Sequence, residues 1–392
     1  MRASAAQMVF DPELALEALI DDRHPEKMAT AAWAREELVD PDLAGRDERS
    51  EFWREGWERC AAHGIQGSIL PVELGGQGLD LVTAMLRFEG LGLGCDDGGL
   101  VFGLSGQIWT MQMALDRFGS DEQRRAVLPG LASGRTIAAF AMSEPESGSD
   151  AMALTTRAER IDGVKAWVTL APVCDTIMVF ATLDPQLGRW GVTAFLVDAD
   201  APGVEIQPNR KKMGLRTTPF ADVVFRSCEV PESARIGAEG AGGSIFSAAM
   251  ETERAFLLAG SIGRLERQTT EAVDYANHRR QFGQPIGAFQ GVSHQIADMK
   301  LAHETARLLL YKAVALQARD TPSMMAAALA KLAASEAALS GSLAGVRIHG
   351  ARGYVSEFGV ERAVRDTMGG VIYGGSSDIQ RNIVARLLGL PA

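Results

Sequence analysis

Apolar side chains in the first third of the chain recur at helix-like spacing, with charged residues between them. Leu16, Leu19 and Ile20 form one such set; Phe52, Trp53 and Trp57 form another. They predict helices from about residue 10 to 135. The segment 69–78 (ILPVELGGQG) interrupts them with Pro and Gly and reads as a turn-rich connection. Helical character resumes at Leu81 and continues through Met113 to Leu128. The texture changes near Thr136. Short β-branched or alternating runs follow at 165–169 (KAWVT), 176–180 (TIMVF), 192–197 (VTAFLV) and 222–225 (DVVF). Pro, Gly and Asp separate them, which predicts a small antiparallel β-domain. Helices return after Pro231. Ala, Leu and Met dominate from Ser244 onward, with breaks at 287–290 and 350–353. The expected division is a helical domain over 1–135, a β-domain over 136–232 and a helical domain over 233–392.

A chain of 392 residues exceeds what one ordinary core supports, so several packed domains are expected. Hydrophobic residues at 46% and charged residues at 23% fit a globular protein. A formal net charge of -11 argues against nucleic-acid binding. Cys60, Cys95, Cys174 and Cys228 lie far apart without a CxxC pair, which suits a reducing cytoplasm. The histidines are scattered with no HExxH spacing, so no metal is expected. Acidic residues near the N-terminus argue against a transit peptide. No apolar run reaches the roughly 20 residues of a membrane span.

The segment 140–150 (FAMSEPESGSD) places a hydroxyl-rich Pro/Gly/Ser loop at the end of a strand. It reads either as an ordinary polar turn or as a donor of hydrogen bonds to an anion or a flavin ring.

This segment resembles the signature of the acyl-CoA dehydrogenase family. Further family elements follow in order at 163–169 (GVKAWVT), 212–216 (KMGLR), 279–286 (RRQFGQPI) with Phe289-Gln290, and 374–381 (GGSSDIQR). The resemblance covers about residues 70–390. It implies an N-terminal α-helical domain, a middle antiparallel β-barrel domain and a C-terminal four-helix bundle, with FAD as cofactor. It also implies that Phe140, Met142 and Ser143 line the isoalloxazine, with Gly148 in the same loop and Ser149 touching the pyrophosphate and the substrate. Trp167 would stack near the dimethylbenzene side and Thr169 would reach N5. Arg279 would pair with the pyrophosphate, and Phe282 and Gln290 would meet the adenosine half, all three coming from a neighbouring subunit. A homotetramer built as a dimer of dimers is the implied assembly. Arg347 and Gly350 stand where the family has an amide and a glycine against the partner's FAD. Ser376 replaces a Thr that offers FAD a hydroxyl, and Asp378 replaces a Gln or Glu.

The family chemistry needs a carboxylate that removes the α-proton of an acyl thioester. Many relatives carry it as the Glu opening the C-terminal element, where this chain has Gly374. A minority, resembling isovaleryl- and long-chain acyl-CoA dehydrogenases, places it on a helix of the third domain. At that position the chain reads Met250-Glu251-Thr252-Glu253-Arg254, and Glu253 aligns with the base. Residues two apart on a helix face nearly opposite ways. Glu253 shares its side with Ala249, Met250, Phe256, Leu257 and Gly260; Glu251 shares a more polar side with Ser247, Ala248, Arg254 and Ala255. Glu253 is the expected buried carboxylate, and Met250, Arg254 and Gly374 are further expected substrate contacts. The competing reading has Glu253 merely paired with an arginine.

Arg210, Lys211, Lys212 and Arg216 form the densest basic patch. It is either a solvated loop or a dock for the phosphate of CoA or of a carrier protein's phosphopantetheine. Gly92, Gly94, Gly98 and Gly99, near Leu91, Leu93 and Phe102, could widen an acyl pocket. The main functional expectation is dehydrogenation of an acyl-CoA or acyl-carrier-protein thioester, with an electron-transferring flavoprotein as acceptor. A flavin monooxygenase or oxidase, favoured by the missing C-terminal Glu, and an inactive acyl-carrier scaffold are the alternatives.

Overall fold

The computed structural model describes residues 24–391; Leu16, Leu19 and Ile20 lie outside them. The described residues open with helices α1 (His24–Glu37), α2 (Leu43–Arg49), α3 (Arg54–Ala62), α4 (Leu81–Gly94) and α5 (Gly98–Gly106). A π-helical stretch (Gln107–Gln112) leads into α6 (Met113–Phe118) and α7 (Asp121–Ala132). The strands are β1 (Ala138–Ala141), β2 (Ile161–Thr169), β3 (Thr176–Thr182), β4 (Val192–Asp198), β5 (Val204–Ile206), β6 (Phe220–Cys228) and β7 (Arg235–Ile236). Helices α8 (Gly242–Phe256) and α9 (Ala259–His278) follow, then a hairpin of β8 (Arg280–Gln281) and β9 (Gln284–Pro285). Helices α10 (Gln290–Ala318), α11 (Met324–His349), α12 (Ala351–Tyr354), α13 (Val360–Met368) and α14 (Ser377–Leu387) close the chain. The described residues form two compact units, one of residues 37–79 and 97–253, the other of residues 24–36, 80–96 and 254–391.

The first unit is built on two sheets, ordered β1-β3-β4-β7 and β2-β6-β5. The expected strands all appear. One pairing departs from the antiparallel expectation: β1 runs parallel to β3, with Ala138 opposite Thr176. The residues between β1 and β3 include the whole of β2, so the chain returns to the first sheet in the same direction. β3 is buried on both faces. Its Ile177, Val179 and Ala181 meet Val168, Val223 and Phe225 between the sheets. Its Met178 and Phe180 face the other way, into a core with Leu115 of α6, Leu128 of α7 and Ile245 of α8. That two-sided burial explains why the run reads as continuously apolar rather than alternating.

In the second unit, α4 is buried almost all round and capped by Asp80, whose carboxylate accepts from Val82 N and Thr83 N. A Cβ added at Gly92 would lie 1.8 Å from the Gly260 carbonyl oxygen of α9, and one at Gly94 would lie 2.4 Å from the Ala31 carbonyl oxygen of α1. In the first unit, one at Gly99 would meet Thr217 Oγ1 at 2.0 Å. Gly92, Gly94 and Gly99 therefore let neighbouring segments approach closely; they do not widen a pocket, which corrects the expectation from the sequence.

An ionic network crosses this packing. The fully buried Glu89 of α4 accepts from Lys27 of α1 (2.9 Å) and from Arg307 (2.6 Å) and Tyr311 (2.5 Å) of α10. Burial works to raise the Glu89 pKa, but Arg307 and Lys27 outweigh it and hold the carboxylate ionised. Ligand atoms of Glu89, Glu266 and His303 come within 4.8 Å of one another, yet Lys27 Nζ already bonds both carboxylates and supplies the positive charge there. No helix among the described residues is long and apolar enough to cross a membrane.

Candidate active site

The site begins where β1 ends. Phe140 packs against Phe180 (ring centroids 5.0 Å apart) and Phe246 of α8 (6.4 Å, nearly parallel). Met142 is buried and Ser143 half-buried. Glu144 is buried, and its carboxylate receives five hydrogen bonds: from the N–H and hydroxyl of Thr155, the N–H and hydroxyl of Thr156, and Lys165 Nζ at 2.8 Å. Burial would raise its pKa, but Lys165 and the threonine donors outweigh that and hold it at about 2. Beyond it, Glu144 N–H bonds Ser147 O and Ser147 N–H bonds Glu144 O, closing a tight turn. Gly148 and Ser149 are exposed just after it, and a Cβ at Gly148 would meet nothing within 4 Å.

The second segment is β2. Lys165 pairs in register with Val223, whereas Val168 pairs with Ala221, so one residue is extra and a bulge falls at 166–167. Trp167 occupies it with φ 62, a conformation that bulky side chains rarely adopt and that costs about 1–3 kcal/mol. The indole is 48% exposed. It stacks on Phe220 with centroids 6.1 Å apart, and the Arg210 guanidinium lies 4.7 Å from its centre. Thr169 ends the strand, half-buried. The two segments meet: Ala166 N–H bonds Ser143 O at 2.9 Å, and Lys165 Nζ bonds Met142 O at 3.0 Å.

The third segment is α8. Glu253 and Met250 are each 8% exposed, while Glu251 is half-buried, in line with the helix-face reading. That reading carried the face through Leu257 and Gly260, however, and α8 stops at Phe256; α9 starts afresh after Leu258. Seven residues, or about two turns and 10 Å, separate Glu253 from Phe246, so both lie on one side of α8. Through Phe246 that side packs on Phe140.

The other expected residues lie in the second unit. Arg279 follows α9 and is exposed. Phe282 sits at the tip of the β8–β9 hairpin, 92% exposed, with φ 51 and Gly283 at φ 80. Two left-handed residues in a two-residue loop give the turn that matches strand twist, and they drive the ring outward. Gln290 starts α10 and is exposed. Arg347 and Gly350 are exposed at the end of α11, and a Cβ at Gly350 would meet open space. Gly374 and Gly375 adopt φ 63 and 81, with both carbonyls held by Gln380 Nε2. Ser376 caps α14 by accepting from Ile379 N, and Asp378 pairs with Arg381. Arg254 is half-buried at the end of α8.

Three cations of the basic patch are used within the first unit. Arg210 bonds Asp222 and covers Trp167. Lys212 donates to Thr218 O, and Arg216 donates to Lys212 O and pairs with Asp47 at 3.7 Å. These bonds shape the loop beside the bulge; Arg210 and Lys211 are exposed, and Lys212 and Arg216 are half-buried. Sequence reasoning missed the Arg210–Trp167 stack and the Glu144–Lys165 pair. The second was within reach, since a Lys inside an apolar strand segment needs an acceptor, and Glu144 follows closely on the apolar run of β1.

A flavin needs a flat apolar surface and donors at the ring edge. A half-exposed indole on a strained bulge, beside a backbone segment whose Ser143 N–H has no partner among the described residues, fits that need.

Comparison with known proteins agrees along most of the chain. Models of the acyl-CoA dehydrogenase N-terminal, middle and C-terminal domains match residues 25–135, 139–228 and 240–389. An L-prolyl-[peptidyl-carrier protein] dehydrogenase of Pseudomonas fluorescens is 41% identical over 353 residues, 88% of this chain and 93% of that one. The crystal structure of a prolyl acyl carrier protein oxidase superposes with a TM-score of 0.92 at 37% identity, covering 94% of this chain and 99% of the other. PigA, solved with FAD and proline, gives 0.91 at 33% identity over 98% and 100%. This chain belongs to the acyl-CoA dehydrogenase family of oxidoreductases and has its three-part fold of helices, β middle and helices.

Proposed function

We propose that the chain is an FAD-dependent dehydrogenase of an acyl thioester, with Glu253 as the base and a prolyl group on a carrier protein as the substrate. The observation that carries the chemistry is the buried Glu253, on the side of α8 that packs through Phe246 against Phe140 at the head of the flavin-signature segment. The similarity to carrier-protein enzymes supports the substrate.

FAD, when bound, supplies the acceptor for the hydride that leaves the substrate. Met142, Ser143, Trp167 and Thr169 of one unit would hold its ring, with Gly148 and Ser149 toward the phosphates. Arg279, Phe282 and Gln290 of a neighbouring subunit in an oligomer would serve the nucleotide half, and Arg347, Gly350, Ser376 and Asp378 are further proposed nucleotide contacts. Glu253 accepts the proton from the carbon next to the thioester carbonyl. Its burial limits the access of water that would compete for that proton. Gly374 takes no part as a base. Met250 and Arg254 border the carboxylate on the same helix and would touch the substrate.

The test is an anaerobic titration of the purified protein with prolyl- and acyl-carrier-protein thioesters and with acyl-CoAs, following flavin absorbance. Bleaching by the prolyl thioester supports the proposal; bleaching only by acyl-CoAs overturns the carrier assignment, and none by any thioester overturns the dehydrogenase reading. Electron-transferring flavoprotein is the proposed acceptor. The similarity to an oxidase favours oxygen as a second reading, and oxygen uptake without the flavoprotein would establish it.

A further inference from the structure

The buried Glu144–Lys165 pair has no part in the chemistry above, yet it joins the two segments proposed to face the flavin. Lys165 is wholly buried, and its ammonium bonds both Glu144 and the Met142 carbonyl. A trans peptide points its C=O and the next N–H in opposite directions. Holding Met142 O toward the interior therefore turns Ser143 N–H away from it. Ala166 N–H takes the Ser143 carbonyl, so the peptide planes on both sides of Ser143 are fixed by β2. The Glu144 carboxylate is saturated by its four threonine donors and Lys165, which leaves the pair no second geometry.

We propose that Glu144 and Lys165 are positioning residues that aim the Ser143 amide N–H at the flavin, where it stabilises negative charge on the reduced ring. The proposal rests on FAD binding at this site. Buried ion pairs with a purely structural role can often be replaced by well-packed neutral side chains of similar volume with little effect on stability. A positioning pair cannot be replaced so without changing the cofactor it serves. Burial brings the Lys165 ammonium down to about 8 against the opposing pull of Glu144, so its charge is maintained by the carboxylate beside it.

The experiment uses the full chain and two readouts other than turnover: FAD dissociation by fluorescence, and the midpoint potential of the bound flavin. The double variant Glu144→Gln/Lys165→Met removes both charges and leaves no buried ion alone. It is expected to melt near the parent, to bind FAD about tenfold more weakly, and to hold the flavin at a more negative potential. Lys165→Arg keeps the charge but cannot place a donor at the same point beside Met142 O, and it is expected to share the shift. Parent-like affinity and potential in either folded variant overturn the proposal. A parent protein that binds no FAD overturns the functional reading and this inference with it; a parent that binds FAD while the variants match it overturns the inference alone.

Discussion

Arg210 lies over the Trp167 indole, its guanidinium carbon 4.7 Å from the ring centre, while Asp222 holds the same guanidinium through Nε and a terminal nitrogen. Asp222 also accepts from the Trp167 N–H, so one carboxylate fixes both the bulge and the cation that covers it. Arg210→Ala is expected to leave the fold intact and to weaken FAD binding roughly two- to fivefold, the size of an exposed cation–π contact. Titration of FAD fluorescence checks this. Unchanged affinity would show that the indole needs no cover.

Glu253→Gln is nearly isosteric and removes the base. It is expected to retain FAD and its melting temperature, and to lose thioester-driven flavin reduction by about a hundred- to ten-thousandfold. Glu251→Gln, on the other side of α8, is expected to be nearly silent. Stopped-flow reduction of the two variants separates them; equal rates would remove Glu253 from the mechanism.

Gly92→Ala drives a methyl group into the Gly260 carbonyl at 1.8 Å, backbone against backbone. Neither helix can yield by a rotamer change, so the cost is expected near the upper end of overpacking, about 3 kcal/mol. Urea unfolding reads it directly. A neutral result would mean that α4 and α9 slide apart freely.

The Glu144 carboxyl is held at about 2 against an ordinary 4.5. A folded-state pKa below the unfolded value adds stability above the unfolded pKa and loses it as the folded protein is forced to take up a proton. Its contribution is therefore full at neutral pH and falls away between about 4.5 and about 2. Melting temperatures taken from pH 6 down to pH 3 should drop less steeply in the double variant Glu144→Gln/Lys165→Met than in the parent, and an equal slope would show that Glu144 contributes nothing to the acid loss of stability.

Phe282 is almost wholly exposed and adds little burial to its own chain. Phe282→Ser is expected to leave apoprotein melting within about 1 °C and to weaken FAD binding. A variant that binds FAD as the parent does would exclude the hairpin from the cofactor site.

Much of this was legible in the sequence because helix periodicity, strand alternation and Pro/Gly punctuation are local. The burial of Glu253 relative to Glu251 follows from angular spacing alone. The break at Leu257–Leu258 does not, because both residues are as apolar as the helices they separate. The parallel pairing of β1 with β3 was hidden because pairing direction depends on how the chain returns, which no strand's own composition records. The glycines of α4 read as room for a ligand, whereas their function depends on carbonyls of Ala31 and Gly260, far away in sequence. The bulge at Trp167 left no mark, since the residue looks like any strand aromatic.

The salt link from Lys27 to Glu89 and on to Arg307 sets an order on biosynthesis. About 280 residues separate the first partner from the last, so on a ribosome adding about 5–20 residues per second Lys27 waits roughly 15–60 s before Arg307 has been made. Until then Glu89 has at most one of its two cations. Ribosome-stalled chains ending near residue 300 should leave α1 open to protease, and chains released at full length should close over it in a single step. The packing of α1 is thus completed only when the last third of the polypeptide has emerged.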